Sequence, residues 1–289
     1  MQVRAYRSLQ DIRISNPEYS PWIDLIELTF EECDKPEWSQ VEIFPNIGSR
    51  DPAPYIHGAN ISLRQQLLQD WAHKLLTKGL GESESINKMI ESNLPELTTA
   101  AISQDMANAE AICSQYGLDE KSMEVMLPLL VTPLLRSISI KAASYAAIDA
   151  GERRYCPICG AWPLLLEYRG LDRSRYLRCG RCAFGWEISW SMCPFCGNRD
   201  HRSLESISTQ VNSLRKVETC SQCKSYIKAI TTLDALHPDE LLAEDLASVE
   251  LDLIALSNGF QRPSGLGFQP ITLVTLKGSK KGLWPWIKT

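Results

Sequence analysis

Histidine is scarce in this chain. There are four in 289 residues, at positions 57, 73, 201 and 237, and no two are neighbours. The chain has no His-Glu-x-x-His pair, no glycine-rich phosphate loop and no nucleophile elbow, so zinc-protease, nucleotide-phosphate and serine-hydrolase chemistry have no carrier. Long apolar runs are also missing. The longest, Val125–Leu135, is interrupted by Pro128 and Pro133 and falls short of the ~20 residues needed to cross a bilayer. Met1–Ser20 holds Arg4, Arg7, Asp11 and Arg13 around no apolar core, unlike a secretory leader. No low-complexity tract is present. These absences lead us to expect a soluble, cytoplasmic protein without membrane insertion.

Composition is that of a globular protein, 44% apolar and 22% charged, and the length suffices for about two domains. The net charge of −5 is unevenly spread. Residues 1–150 carry 12 basic and 21 acidic side chains, net −9, whereas residues 151–232 carry 13 and 7, net +6. This shift at Gly151 is the sharpest domain boundary in the chain.

Prolines 17, 21, 36, 45, 52 and 54 suggest that residues 1–60 are irregular. Leu63, Leu67, Trp71 and Leu75 then recur every four residues and predict a helix over 62–79. Further helices are expected over 95–117, with Pro95 near its start, over 123–150, bent or interrupted at its prolines, and over 238–258 with Gly259 as its cap. Between them, 164–168, 176–178, 186–189 and 226–230 are short β-prone stretches bounded by turn residues. The expected architecture is α+β and multidomain. A mainly helical N-terminal domain (1–150) is followed by two small four-cysteine modules (151–190 and 191–235), then a C-terminal helix and tail (236–289).

Eight of the ten cysteines form four Cys-x-x-Cys pairs. Cys156-Pro-Ile-Cys159-Gly and Cys193-Pro-Phe-Cys196-Gly each open a copy of an internal repeat; Cys179-Gly-Arg-Cys182 and Cys220-Ser-Gln-Cys223 close them, after spacers of 19 and 23 residues. A Cys-x-x-Cys turn aims two sulfurs to one side, with backbone N–H groups to stabilise thiolate. Two such knuckles face to face give tetrahedral S₄, which suits zinc or a single iron. The repeat pairs Cys156 and Cys159 with Cys179 and Cys182, and Cys193 and Cys196 with Cys220 and Cys223; it argues against a crossed arrangement. Thioredoxin-type redox chemistry would need one pair opening a helix in a βαβ setting, and no such pattern surrounds these. His201 is a spare ligand at most, more simply a surface residue. Cys33 and Cys113 stand alone and read as small apolar fillers.

Arg153, Arg154, Arg169, Arg173, Arg175, Arg178 and Arg181 gather around the first module with Tyr168, Tyr176 and Trp186. Arginine among aromatics is a plausible nucleic-acid surface. A duller account is favoured: eight thiolates and two divalent ions leave −4 for these arginines to balance.

The order of these motifs resembles the formate dehydrogenase accessory protein family, FdhE. The likeness lies in the Cys-Pro-Ile-Cys-Gly knuckle, the run Arg175-Tyr-Leu-Arg-Cys179-Gly-Arg-Cys182 with Trp186 behind it, and Cys220-Ser-Gln-Cys223 leading into Tyr226-Ile-Lys228. It continues through Glu244–Ser248, Leu251-Asp252 and Gly259-Phe260 to Pro270. It spans about 150–273; residues from Val274 on go beyond it. The resemblance implies a helical domain followed by two rubredoxin-like modules holding iron or zinc. It also implies a cytoplasmic, non-catalytic maturation protein that binds the catalytic subunit of formate dehydrogenase. The eight cysteines match one for one, and no catalytic residue carries over. Homo-oligomerisation stays open. A zinc-ribbon nucleic-acid-associated protein and a rubredoxin-like one-electron carrier are the alternatives. Because Arg and Trp are over-represented at binding hot spots, Arg173, Arg175, Arg181 and Trp186 are the expected partner-binding residues.

Overall fold

A computed structural model describes residues 2–45, 53–148, 153–208 and 214–278. The boundary expected at 150/151 and the tail 279–289 lie outside them. Residues 2–148 are mainly helical. They form α1 (Gln2–Ser15), α2 (Ser20–Cys33), α3 (Gln65–Leu80), α4 (Glu84–Ser103), α5 (Met106–Gln115) and α6 (Glu120–Ile148), with two short strands, β1 (Glu42–Phe44) and β2 (Asn60–Arg64).

Expectations that rested on prolines are corrected here. Residues 2–40 are not irregular, because Pro17 and Pro21 sit in the opening turns of helical segments, where the missing N–H has no partner to lose. Pro95 does not open a helix. It lies inside α4, which starts at its Ser83 cap, where the hydroxyl accepts from the Ile86 N–H. The buried face Ile86, Met89, Ile90, Leu94 and Leu97 carries the helix through the proline. The chain breaks later, at Gln104 in the left-handed region (φ 50°), and restarts at the Asp105 cap.

Helix α6 runs unbroken through Pro128 and Pro133. By length and composition it could span a bilayer, but 78% of its most apolar window is buried within the fold. Leu130, Val131, Leu134, Leu135 and Ile138 are fully enclosed by α2, α3 and α4, and the Trp71 indole donates to the Leu130 carbonyl at 2.9 Å. It is the core helix of this half.

The second half is a six-stranded sheet. Its strands are β3 (Leu165–Arg169), β4 (Ser174–Arg178), β5 (Gly185–Glu187), β6 (Leu204–Ser208), β7 (Arg215–Cys220) and β8 (Ser225–Thr232), in the order β5-β4-β3-β8-β7-β6. Each cysteine module supplies an antiparallel meander, and the two join through parallel pairing of β3 with β8, Leu165 opposite Lys228 to Arg169 opposite Thr232. The modules therefore share one sheet.

The helix expected over 238–258 is two helices, α7 (Pro238–Leu246) and α8 (Val249–Ser257). They part at Ala247–Ser248 because the buried Lys228 amine occupies the break, donating to the carbonyls of Asp245 (2.6 Å) and Ser248 (3.5 Å). The chain then returns to the helical half, where β9 (Leu273–Lys277) pairs in parallel with β2 and completes a sheet ordered β1-β2-β9.

Candidate metal centres

Each Cys-x-x-Cys pair folds as the same turn. The N–H of the first cysteine donates to a carbonyl five residues on: Cys156 to Ala161 (2.8 Å), Cys179 to Phe184 (2.9 Å) and Cys193 to Asn198 (2.8 Å). The residue after the second cysteine is left-handed in all four: Gly160 and Gly197 at φ 78°, Ala183 at 61° and Lys224 at 56°. This twist closes the turn over the sulfurs. Glycine marks it in two knuckles; in the other two an alanine and a lysine adopt it despite the steric cost.

The four knuckles bring the eight sulfurs together as the repeat predicts. Cys156, Cys159, Cys179 and Cys182 form one group and Cys193, Cys196, Cys220 and Cys223 the other, with all sulfurs of a group within 4.8 Å of one another. Closest pairs are Cys156–Cys182 at 3.4 Å and Cys159–Cys179 at 3.5 Å in the first centre. In the second, Cys193–Cys223 and Cys196–Cys220 both stand at 3.8 Å. A tetrahedron with metal–sulfur bonds of about 2.3 Å has sulfurs about 3.8 Å apart, whereas a disulfide needs about 2.05 Å. The donor set and spacing fit a tetrahedral thiolate metal and not a crosslink.

Electrostatics point the same way. Burial, reinforced by the three neighbouring sulfurs, pushes the Cys156 thiol well above its ordinary range, and burial does the same at Cys182 and Cys193. At Cys220 burial is outweighed by the N–H groups of Cys223 and Gln222, which hold its thiol low. Four crowded thiolates in a dry site need a cation to ionise together. The lone cysteines differ. Burial lifts Cys33 to about 12 and Cys113 to about 11, so both are protonated, unreactive fillers at neutral pH.

The first centre sits against the helical half. The N–H groups of Tyr55 and Ile56 donate to the carbonyls of Pro157 (2.8 Å) and Ile158 (3.1 Å), and Phe268 N–H to that of Gly160 (2.9 Å). Arg181, inside the second knuckle, reaches across to the end of α4 and donates to Ala101 O (2.5 Å) and Ile102 O (3.0 Å). Arg154 ties the two centres, donating to Phe195 O at 2.6 Å.

The expected partner-binding residues fare differently. Arg173 is exposed on the β3–β4 turn. Arg175, Arg181 and Trp186 are buried, at 3%, 8% and 2% exposure. Arg175 donates to the carbonyls of Ser189 and Trp190 and to the Glu218 carboxylate, each at 2.7 Å, and the Trp186 indole donates to Arg153 O at 2.8 Å. Arg178 pairs with the fully buried Glu167 at 2.5 Å. For Arg175, Arg178 and Arg181 the expectation of a surface is corrected: their guanidiniums are buried, those of Arg175 and Arg178 on partners within the sheet half and that of Arg181 on carbonyls of α4. His201 is exposed and stands outside both sulfur groups.

Sequence reasoning missed a second buried network. Lys228 (1% exposed) pairs with Asp245 and Asp252 at 2.7 Å each, and Arg262 with the same carboxylates at 2.5 and 2.9 Å. Its only signal is a lysine at an alternating strand position and two aspartates seven residues apart.

Residues 188–267, from the end of the first module to the stretch beyond α8, match the family described as FdhE, C-terminal domain. A protein named FdhE homolog from Aquifex aeolicus is 36% identical over 150 residues, covering 50% of this chain and 52% of that protein. Over these stretches the chain is similar to the FdhE family. A Haemophilus influenzae FdhE homolog is 29% identical over 175 residues, 59% of this chain and 56% of its own. The chain thus spans little more than half the length of these curated relatives. The crystal structure of the FdhE protein from Pseudomonas aeruginosa superposes with a TM-score of 0.55 over 92% of this chain and 95% of that one, at 20% identity. At that identity it shows a shared fold, both halves included.

Proposed function

We propose that the protein is an accessory factor for producing active formate dehydrogenase: it binds the catalytic subunit in the cytoplasm and does not itself oxidise formate. The match of residues 188–267, which hold the second cysteine module, to the FdhE C-terminal domain carries this reading. Its two four-cysteine centres hold iron or zinc; the metal draws the knuckles together, and as iron it would also supply a one-electron couple. With Arg175, Arg181 and Trp186 buried, we assign the partner surface to the β3–β4 turn, where Arg173 is exposed and Leu171 is 96% exposed. Large exposed apolar side chains next to a cation suit a protein partner.

Affinity capture of the tagged protein from its native host should retain a formate dehydrogenase catalytic subunit. Arg173→Glu combined with Leu171→Ser should weaken that capture while leaving metal content unchanged. Full formate dehydrogenase activity after deletion of the gene would overturn the reading.

A further inference from the structure

The two centres have the same ligands and the same turns but different surroundings. In the first, Cys156, Cys159 and Cys179 are 0% exposed and Cys182 is 1%. Its knuckles are roofed by three separate pieces of chain. These are the 54–56 segment and Phe268, through the hydrogen bonds given above, and the end of α4, through Arg181. At Gly160 the roof lies so close that a Cβ would stand 2.2 Å from the Phe268 carbonyl oxygen.

The second centre has no such roof among the described residues. Cys193 and Cys220 are buried, but Cys196 and Cys223 are partly exposed, and Ser221, Gln222 and Lys224 around them are exposed. At Gly197, the counterpart of Gly160, a Cβ would meet only the Arg154 side chain, at 3.4 Å. The buried pair is not sealed either. Cys193 and Cys220 line a cavity of about 130 Å³, with Arg175, Glu218 and Ser225 among its walls and Trp190, 57% exposed, among its lining residues.

We propose that the two centres divide their roles: the first is a permanent staple between the helical half and the sheet, and the second is the exchange centre, where soft metal ions enter and leave and external thiol reagents reach the sulfurs. The reason is the fate of the sulfurs once a metal departs. At the first centre four ligands would be left in a dry interior, and the roof must lift before water arrives; uncompensated polar groups there are costly. At the second, water solvates Cys196 and Cys223 directly, and a chelator can take over the metal one ligand at a time from that side. Exchange at the second centre needs only local opening, at the first something close to unfolding of the cysteine half, and such openings differ widely in free energy. This rests on both centres holding metal, and not on the identity of the protein partner.

The test is metal release and thiol labelling on the intact, metal-loaded protein. A chelator in excess should remove one metal equivalent rapidly and the other at least about 100-fold more slowly, the difference between local and global opening. Iodoacetamide and peptide mass mapping during the fast phase should find Cys193, Cys196, Cys220 and Cys223 modified, while Cys156, Cys159, Cys179 and Cys182 stay unmodified. Cys196→Ser should leave a folded protein that retains one slow-releasing equivalent. Release of both metals in a single phase, or earlier labelling of the first group, would overturn the division. Should Cys196→Ser fail to fold, the wild-type labelling order decides alone. No outcome depends on formate dehydrogenase, so loss of this proposal and loss of the accessory-factor reading are told apart.

Discussion

Gly160 and Gly197 look interchangeable in sequence, each closing a Cys-Pro-x-Cys-Gly knuckle, yet their surroundings differ. Ala183 and Lys224 show that a side chain can take the left-handed turn, at a cost of about 1–2 kcal/mol. Gly197→Ala should therefore lower stability by about 1 kcal/mol and no more. Gly160→Ala must also displace the Phe268 backbone, so its thermal midpoint should fall clearly further. Equal midpoints for the two variants would mean that the roof over the first centre yields freely. The buried arginines allow a second prediction. Arg175→Ser takes one partner from Glu218, leaving it Tyr168 and Lys216, and withdraws a donor from the carbonyls of Ser189, Trp190 and Met192. Loss of one member of a buried pair costs about 3–5 kcal/mol. Arg173→Ser, on the exposed turn, should change stability by less than about 0.5 kcal/mol. Urea denaturation of the two variants checks this; equal losses would place Arg175 at the surface after all.

At the level of elements, the break between α7 and α8 and the network beneath it decide how the C-terminal segment is held. Burial would raise the Asp252 carboxyl, but Arg262 and Lys228, with the Tyr226 hydroxyl, hold it below the usual carboxylate value. A carboxyl depressed in the folded state stabilises fully above its unfolded value of about 3.9, and that contribution is lost as pH falls through the folded value. Asp252→Asn should therefore be less stable than wild type at pH 7, with the gap narrowing below about pH 4. Urea midpoints at pH 7 and pH 3 test this; a constant gap would show that the carboxylate does not titrate with folding. These elements also mark what could be read from sequence. The four β-prone stretches and the helix at 62–79 were legible because period and turn residues agree with burial there. The opening helices were hidden by prolines that sit in first turns, and the single helix expected at 238–258 is divided by a lysine of the preceding strand, whose reach into the break no local pattern shows. Parallel pairing of β3 with β8 joins positions more than sixty residues apart, and no local pattern encodes it. The eight cysteines were legible because metal ligation imposes spacing on the chain itself. The arginines misled because charge reads as surface wherever its partners are distant carbonyls.

Taken whole, the chain is two unlike halves stitched at several points. Arg181 caps α4 from the first centre, the buried Arg136–Asp239 pair at 2.5 Å joins α6 to α7, and β9 returns from the sheet half to pair with β2. The sheet half has short strands and an interior of charges. Structural zinc contributes roughly 10–16 kcal/mol in small peptides, as much as the whole net stability of an ordinary domain, about 5–15 kcal/mol. The account therefore stands on metal at both centres. Elemental analysis of the protein purified without oxygen, combined with a count of titratable thiols in the native state, tests this most directly. The predicted result is two equivalents of iron and zinc together per chain, with the eight knuckle cysteines withheld from titration until a chelator opens the second centre. A folded protein with close to no metal and all eight of those thiols open to titration would contradict it.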